Sequence, residues 1–386
     1  MSSDQCLNLA QNFKFYDTFL KIKLSFKAMD ISTKLELIRQ VGEEIISEEE
    51  LKALLETKNH PIAYDGFEPS GNVHIAQGIL RAITVNKLIK AGIHFKMYAA
   101  DWHAWANNKL GGNLEKIQIC SDYLVEVWKV SGMNVDKVEF VRASDVVNSM
   151  EYWKKVMQIA RNSTIQRIVR TGQIMGRQES EVQQASQILY PCMQAADIFH
   201  LKADICQLGM DQRKVNVLAR ELGEKLGYWK PVIVSHHMLI GLGKPVSREK
   251  STVERAIDLK MSKSKPETAI FMTDTEKEIK DKVSKAYCPE KEINDNPILE
   301  YCKYILFEKF KSIKIERPEK FGGNLEFHSY NELAKVYSKG DLHPIDLKNS
   351  VEWHINQLIM PVREHFKKNK KAKELLVKVK GFEITR

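Results

Sequence analysis

The 386-residue sequence contains no run of 18 or more apolar residues, which excludes a helix of the usual kind for crossing a bilayer. Its six cysteines, Cys6, Cys120, Cys192, Cys206, Cys288 and Cys302, are scattered, and no two stand at the spacing of zinc ligands. A disulfide scaffold and a structural zinc site are both disfavoured, no metal site is expected, and a reducing compartment fits better. The first 28 residues lack arginine and lack a hydrophobic stretch followed by a small-residue cleavage site. That speaks against a secretory signal, and a cytoplasmic location is expected. There is no internal repeat, and the lysine-rich stretch 367–373 is the nearest approach to low complexity.

What remains is an ordinary globular composition, 43% hydrophobic and 28% charged, long enough for two or three domains. The net charge of +9 is unevenly spread. Residues 301–386 carry 18 basic and 11 acidic side chains, whereas residues 1–300 carry 41 and 39. Such a segment is either a solvated tail or a polyanion-binding module, since clustered lysine and arginine displace counterions from phosphate backbones. Composition leaves the two open.

From Met29 an amphipathic helix pattern begins, with Leu35, Ile38, Val41, Ile45 and Ile46 at three- and four-residue spacing. Ser47 and Glu50 form a capping-box pattern for a second helix through Leu55. After Pro61, short apolar runs (62–64, 95–100, 138–141, 203–208, 232–234) alternate with helical patterns at 75–90, 114–130, 151–170 and 211–226. This alternation predicts an α/β fold around a parallel sheet. Residues 151–200 carry helical pattern with no strand and read as a helical insertion between the two halves of the sheet. Beyond about residue 270 the strand signals fade and helices are expected to the end. Val351, Ile355, Leu358 and Val362 fall at helical spacing and are assigned to the core. Trp353 is assigned to core packing and His236–His237 to a loop.

Two runs carry chemistry. In Tyr64–Gly78 a buried strand ends near Tyr64, a Pro69-Ser70-Gly71 turn follows, and a helix opens near His74. In an open α/β sheet such a turn lies at the carboxyl edge, where ligands bind, and the helix start offers unpaired N–H groups to an anion. Gly71 permits close backbone approach, and His74 can donate to a phosphate. The second run, Lys260-Met261-Ser262-Lys263-Ser264-Lys265-Pro266, packs three lysines and two serines into seven residues. A cationic loop of this kind can close over a triphosphate and stabilise charge on a leaving pyrophosphate.

Together the two runs resemble the HIGH and KMSKS signatures of class I aminoacyl-tRNA synthetases. Lys260–Ser264 matches completely; in the first motif His74 and Ile75 agree, while Ala76 and Gln77 replace glycine and histidine. Further runs resemble the tyrosyl-tRNA synthetases of eukaryotic and archaeal type: Phe67–Gly71, Ala100–Ala104, Tyr190-Pro191 with Gln194 and Asp197, Gly209–Lys214 and Leu342–Asn349. The resemblance covers roughly residues 30–366. It implies a Rossmann-type parallel-sheet catalytic domain with a helical insertion, followed by an α-helical C-terminal domain.

The implied activity is tyrosine–tRNA ligation: ATP, as its Mg2+ complex, activates L-tyrosine, and the tyrosyl group passes to tRNA(Tyr). Tyr190, Gln194 and Asp197 fall at i, i+4 and i+7 of one predicted helix, so they share a face. The resemblance implies that Tyr64 and Asp197 bind the substrate hydroxyl, and that Tyr190, Gln194 and Gln212 hold its ammonium group. It implies ATP contacts from Gly71, His74, Gln77, Asp211, Lys260, Ser262, Lys263 and Ser264, with His74, Lys260 and Lys263 as the catalytic groups and Lys265 adding charge. Phe321 and Asp346 match positions that read the tRNA anticodon. For Asp101 and His103 a pocket role and a buried structural role stay open.

The expected organisation is an N-terminal extension (1–28), a helical segment (29–58), a catalytic domain (59–268) with a dimerisation insertion at about 114–185, a helical anticodon-binding domain (269–366) and a basic tail (367–386). A homodimer is implied by the resemblance. Rival readings are a tryptophan–tRNA ligase on the same scaffold, or a non-catalytic RNA-binding paralogue.

Overall fold

The computed structural model describes residues 29–175, 184–245, 259–263 and 265–383. The extension 1–28 and Ser264 lie outside the described residues.

The short apolar segments build a six-stranded sheet: β1 (Glu44–Ile46), β2 (Ile62–Phe67), β3 (His94–Ala99), β4 (Val138–Arg142), β5 (Ile205–Cys206) and β6 (Val232–Ser235). The spatial order is β1-β6-β5-β2-β3-β4, and every neighbouring pair is parallel except β1, which runs antiparallel along β6. Successive side chains of a strand point to opposite faces. Along β2 Ala63 therefore enters one core and Tyr64 the other; along β3 Phe95 and Met97 face one way and Tyr98 the other. Burial on both faces explains why these strands read as continuous apolar runs.

The helices that follow fall on both sides. α1 (Ile31–Arg39), α2 (Glu48–Thr57), α3 (Arg81–Lys90), α4 (Asp101–Ala106) and α5 (Leu114–Val130) accompany the first four strands. Buried side chains of α1, α2, α3 and α5 make the core on the Ala63 side. Between β4 and β5 run α6 (Met150–Arg161), α7 (Ile165–Thr171) and α8 (Ala185–His200), which with α9 (Arg213–Gly223) cover the Tyr64 side. The rest of the chain holds α10 (Glu276–Lys285), α11 (Pro297–Tyr301), α12 (Tyr330–Lys339), α13 (Pro344–Lys368) and α14 (Lys370–Lys380). Its buried Leu299, Leu347, Val351 and Phe366 continue the first core without a break.

Local signals explain many boundaries. Ser47 and Glu50 form the expected capping box at the start of α2. Thr275 and Glu278 do the same for α10, and Asn113 caps α5 by accepting from Lys116 N. Among the described residues no helix is long and apolar enough to cross a membrane.

Several expectations are corrected. Ile45 and Ile46 do not extend the first helix, which ends at Arg39; they form β1, whose three residues pair with Ser235, Val234 and Ile233. Leu114–Val130, expected in the insertion, is the crossover helix joining the adjacent strands β3 and β4. The C-terminal region is not purely helical: β7 (Ile313–Ile315) and β8 (Leu325–Phe327) form an antiparallel hairpin too short for periodicity to register. Trp353 is 55% exposed rather than core. In the stretch expected to be a tail, α14 packs against α5 and α13, burying Ala372 and Val379.

Candidate active site

The site opens at the carboxyl ends of the parallel strands, where backbone leaves the sheet and side chains converge. A cavity of about 260 Å³ is lined by residues from β2, from α4 and α8, and from the segments after β5 and β6. It gathers Tyr64, His74, Gln77, Tyr190, Gln194, Asp197, Asp211, Gln212, Lys260 and Lys263 from across the sequence. Gly71 and Ser262 are not on its wall; Gly71 shapes the turn at φ 109°, a left-handed conformation that glycine adopts without strain.

One end of the cavity is built around Asp197, 1% exposed. The Tyr98 hydroxyl donates to its Oδ1 at 3.0 Å, and His103 Nε2 lies 3.0 Å from its Oδ2. Burial would lower the His103 pKa, but the adjacent Asp197 carboxylate outweighs it and holds the imidazole above its ordinary value. The Tyr64 hydroxyl is buried with no hydrogen-bond partner, and burial pushes its pKa well up. A buried phenol without a partner beside a buried carboxylate suits a ligand that brings its own hydroxyl. His103 thus has a place in the pocket. Asp101 lies off the cavity wall, accepting from Trp102 N and Ser144 N at 2.9 Å.

Beside this end, Gln194 Nε2 donates to Gln212 Oε1 at 3.0 Å, and Gln212 Nε2 donates to the Ile174 carbonyl at 3.1 Å. Gln194 Oε1 is buried and keeps its acceptor capacity. Tyr190 faces Glu68, whose carboxylate also accepts from Asn107 Nδ2 at 2.9 Å. A carbonyl oxygen, a phenol and a carboxylate make a suitable cradle for an ammonium group.

The other end is cationic. Lys260 Nζ lies 2.7 Å from Asp211 Oδ2, and Lys263 Nζ donates to Ser70 Oγ at 3.4 Å. Burial and the neighbouring Lys109 lower the Lys263 pKa to about 8. Burial, with Lys263 and Lys260 nearby, lowers that of His74 to about 3, so its imidazole is neutral at physiological pH. Backbone joins the two motifs directly: Ile75 N donates to Ile270 O and Met272 N to Val73 O, both at 2.8 Å. This strip fits because residue 78 is glycine; a Cβ there would stand 2.5 Å from Met272 Sδ. Among the described residues no group of three His, Cys, Asp or Glu side chains is disposed to hold a metal ion.

Sequence reasoning missed part of the wall. Tyr98 is one residue of the apolar run 95–100, and Glu68, in the run Phe67–Gly71, has no role assigned from sequence. Asp65 is 1% exposed and paired with Arg81 Nε at 3.1 Å beneath the site. His236 and His237, read as loop, both line the cavity. His236 Nε2 lies 3.4 Å from Asp65 Oδ2, and His237 lies between Glu43 and Glu300 at 3.3 and 3.1 Å. Only the folded sheet shows that the β6 exit abuts the ligand cavity.

Phe321 and Asp346 lie apart from the cavity. Phe321 is 60% exposed, with Lys320 Nζ 4.9 Å from its ring centre. Asp346 stands in the first turn of α13. Arg317 ties the two segments together, donating to the Gly323 carbonyl at 2.9 Å and to the Asp341 carbonyl at 2.8 Å.

Comparison with known proteins agrees with this geometry. Residues 56–359 match the family of tRNA synthetases class I (W and Y). The chain is 52% identical over 356 residues to "Tyrosine–tRNA ligase 2, cytoplasmic" of Arabidopsis thaliana, covering 92% of this chain but only 46% of that relative. It is 50% identical over 360 residues to "Tyrosine–tRNA ligase 1, cytoplasmic" of the same plant, covering 92% of this chain and 90% of that one. The crystal structure of tyrosyl-tRNA synthetase complexed with L-tyrosine from Pyrococcus horikoshii superposes with a TM-score of 0.84 at 38% identity, over 90% of this chain and all of that one. Sheet, cavity and sequence thus lead to one assignment: the chain belongs to the class I tRNA synthetases of the tryptophan and tyrosine branch, among the tyrosine–tRNA ligases.

Proposed function

We propose that this chain activates L-tyrosine with Mg·ATP and transfers it to the terminal adenosine of tRNA(Tyr). The observation that carries the choice of amino acid is the Asp197 cluster. Tyr64 and Asp197 bind the substrate hydroxyl, with Tyr98 and His103 orienting the carboxylate. Phenylalanine would leave the buried Tyr64 hydroxyl without a partner and Asp197 without the substrate's donor, and indole offers a single N–H, so tyrosine is favoured over both. Tyr190, Gln194 and Gln212 hold the ammonium group.

At the cationic end, Asp211 accepts from the ribose hydroxyls, and Gln77 lies at the phosphates. Gly71 and Ser262 act through the shape of their turns. Neutral His74 donates a hydrogen bond to the phosphates, while Lys260 and Lys263, with Lys265 nearby, offset charge as pyrophosphate leaves. The tyrosine carboxylate attacks the α-phosphorus in line. No protein nucleophile is required, because positioning and charge stabilisation supply the rate. Mg2+ enters with ATP as part of the substrate.

Exposed Phe321 stacks on an anticodon base and Asp346 accepts from another, which the net positive charge of residues 301–386 supports. A homodimer is supported by exposed Met150 and Met157 on α6 and by exposed Trp105, which lines a hollow with Trp102, Trp153 and Leu189. A cytoplasmic location rests on the names of the Arabidopsis relatives. Pyrophosphate exchange across all twenty amino acids tests the assignment. Exchange driven by tyrosine is expected; exchange driven by tryptophan alone, or by none, overturns it.

A further inference from the structure

The lysine loop 260–265 has its base clamped by one short segment. Met261 N donates to Leu239 O at 2.9 Å and Gly241 N to Leu259 O at 2.8 Å, so residues 239–241 pair with the loop's entry. Leu242 N donates to Thr268 O at 2.9 Å, closing its exit. Whatever fixes 239–242 therefore fixes both ends of the loop that presents Lys260 and Lys263.

That anchor comes from the C-terminal region. Glu300, on α11, accepts from Ile240 N at 3.2 Å and from His237 Nε2 at 3.1 Å with the same oxygen. The other ring nitrogen of His237 lies 3.3 Å from Glu43 Oε2, just ahead of β1. An imidazole with a carboxylate at each nitrogen donates twice and carries a positive charge. Its ring stacks on Tyr304 at 4.1 Å between centroids, 15° from parallel. One histidine thus fastens the edge strand, the cavity wall and the helical region together. The Glu300 side chain is 20% exposed, so these bonds are only partly screened.

We propose that Glu300 is a positioning residue for adenylate formation: by holding Ile240 N and His237, it sets the 239–242 clamp and hence the placement of Lys260 and Lys263 over ATP. It touches no substrate. The inference rests on the ATP-dependent reading above and adds to it that a residue of the helical region governs the first chemical step without tRNA present.

Two variants of the full chain test this in tyrosine-dependent pyrophosphate exchange. Glu300→Ala loses both bonds and should raise the KM for ATP about tenfold while moving the KM for tyrosine by less than about twofold. Glu300→Gln keeps an acceptor for Ile240 N but loses the charge and should fall between, at about threefold. If the alanine variant does not fold, the glutamine variant must show the same split. An unchanged KM for ATP in a folded variant, or parallel rises for ATP and tyrosine, overturns the inference. Absence of exchange in the unsubstituted protein overturns instead the reading on which it stands.

Discussion

Lys260 and Asp211 hold each other at 2.7 Å across the mouth of the nucleotide end, although both are assigned to ATP. Burial alone would discharge both. Instead each carries the other: the Asp211 carboxyl stays below its ordinary pKa and the Lys260 ammonium above its own. On the proposed reading, ATP replaces this pair with ribose hydroxyls at Asp211 and phosphate at Lys260. Asp211→Asn frees the lysine but leaves the ribose a poorer acceptor, so ATP binding should weaken by about tenfold while tyrosine binding, read by equilibrium titration, stays unchanged.

Asp197→Asn keeps the shape of the pocket but removes the charge that orients Tyr98 and His103. The expected loss in kcat/KM for tyrosine is about 100-fold, or about 3 kcal/mol, with a cooperative thermal transition retained. Unaltered tyrosine kinetics would remove Asp197 from the pocket assignment.

Tyr98→Phe deletes one donor to Asp197 and leaves His103 in place. Discrimination between tyrosine and phenylalanine in pyrophosphate exchange should fall by about tenfold. A ratio equal to that of the unsubstituted protein would make Tyr98 a packing residue only.

His237 supplies a pH test of stability. Burial lowers its pKa, but Glu300 and Glu43 outweigh burial and raise it from 6.5 to about 9. The folded protein therefore binds this proton more tightly than the unfolded chain. The resulting stabilisation is fully present below pH 6.5 and is lost as pH rises towards 9, at about 1.4 kcal/mol per pH unit at most. Denaturant unfolding of His237→Asn against the unsubstituted protein should show a stability gap at pH 6 that closes by about pH 9. A gap that widens with pH contradicts the charged assignment.

Phe321→Ala and Asp346→Ala should reduce tRNA charging by about tenfold or more and leave pyrophosphate exchange intact. Equal losses in both assays would make these residues structural.

The sheet was legible because its central strands are buried on both faces and leave unmistakable apolar runs. The capping box at Ser47 and the shared face of Tyr190, Gln194 and Asp197 were legible because helical spacing is local. The edge strand β1 was not: Ile45 and Ile46 also fit the helical period, and only pairing with β6 decides between the two. His237 was invisible for a related reason. Its meaning depends on Glu43 and Glu300, which lie 194 and 63 residues away, and no local pattern encodes partners at such separations. The lysines near the C-terminus read as tail because their charge hides the sparse apolar positions that dock α14 on α5.

One consequence follows from α13. This single helix of 25 residues begins at Pro344, next to the Asp346 turn, and runs to Lys368. Near its far end Phe366 lies 5.3 Å from the Tyr123 ring of α5, and His365 Nε2 lies 2.8 Å from Glu126. At 1.5 Å per residue such a helix spans about 37 Å. It acts as a gauge bar between the surface proposed to meet the anticodon and the layer that supports the chemistry. On the proposed tRNA reading, the helix fixes the separation of the two surfaces, and a nucleic acid with acceptable bases but the wrong distance between its ends would engage only one of them.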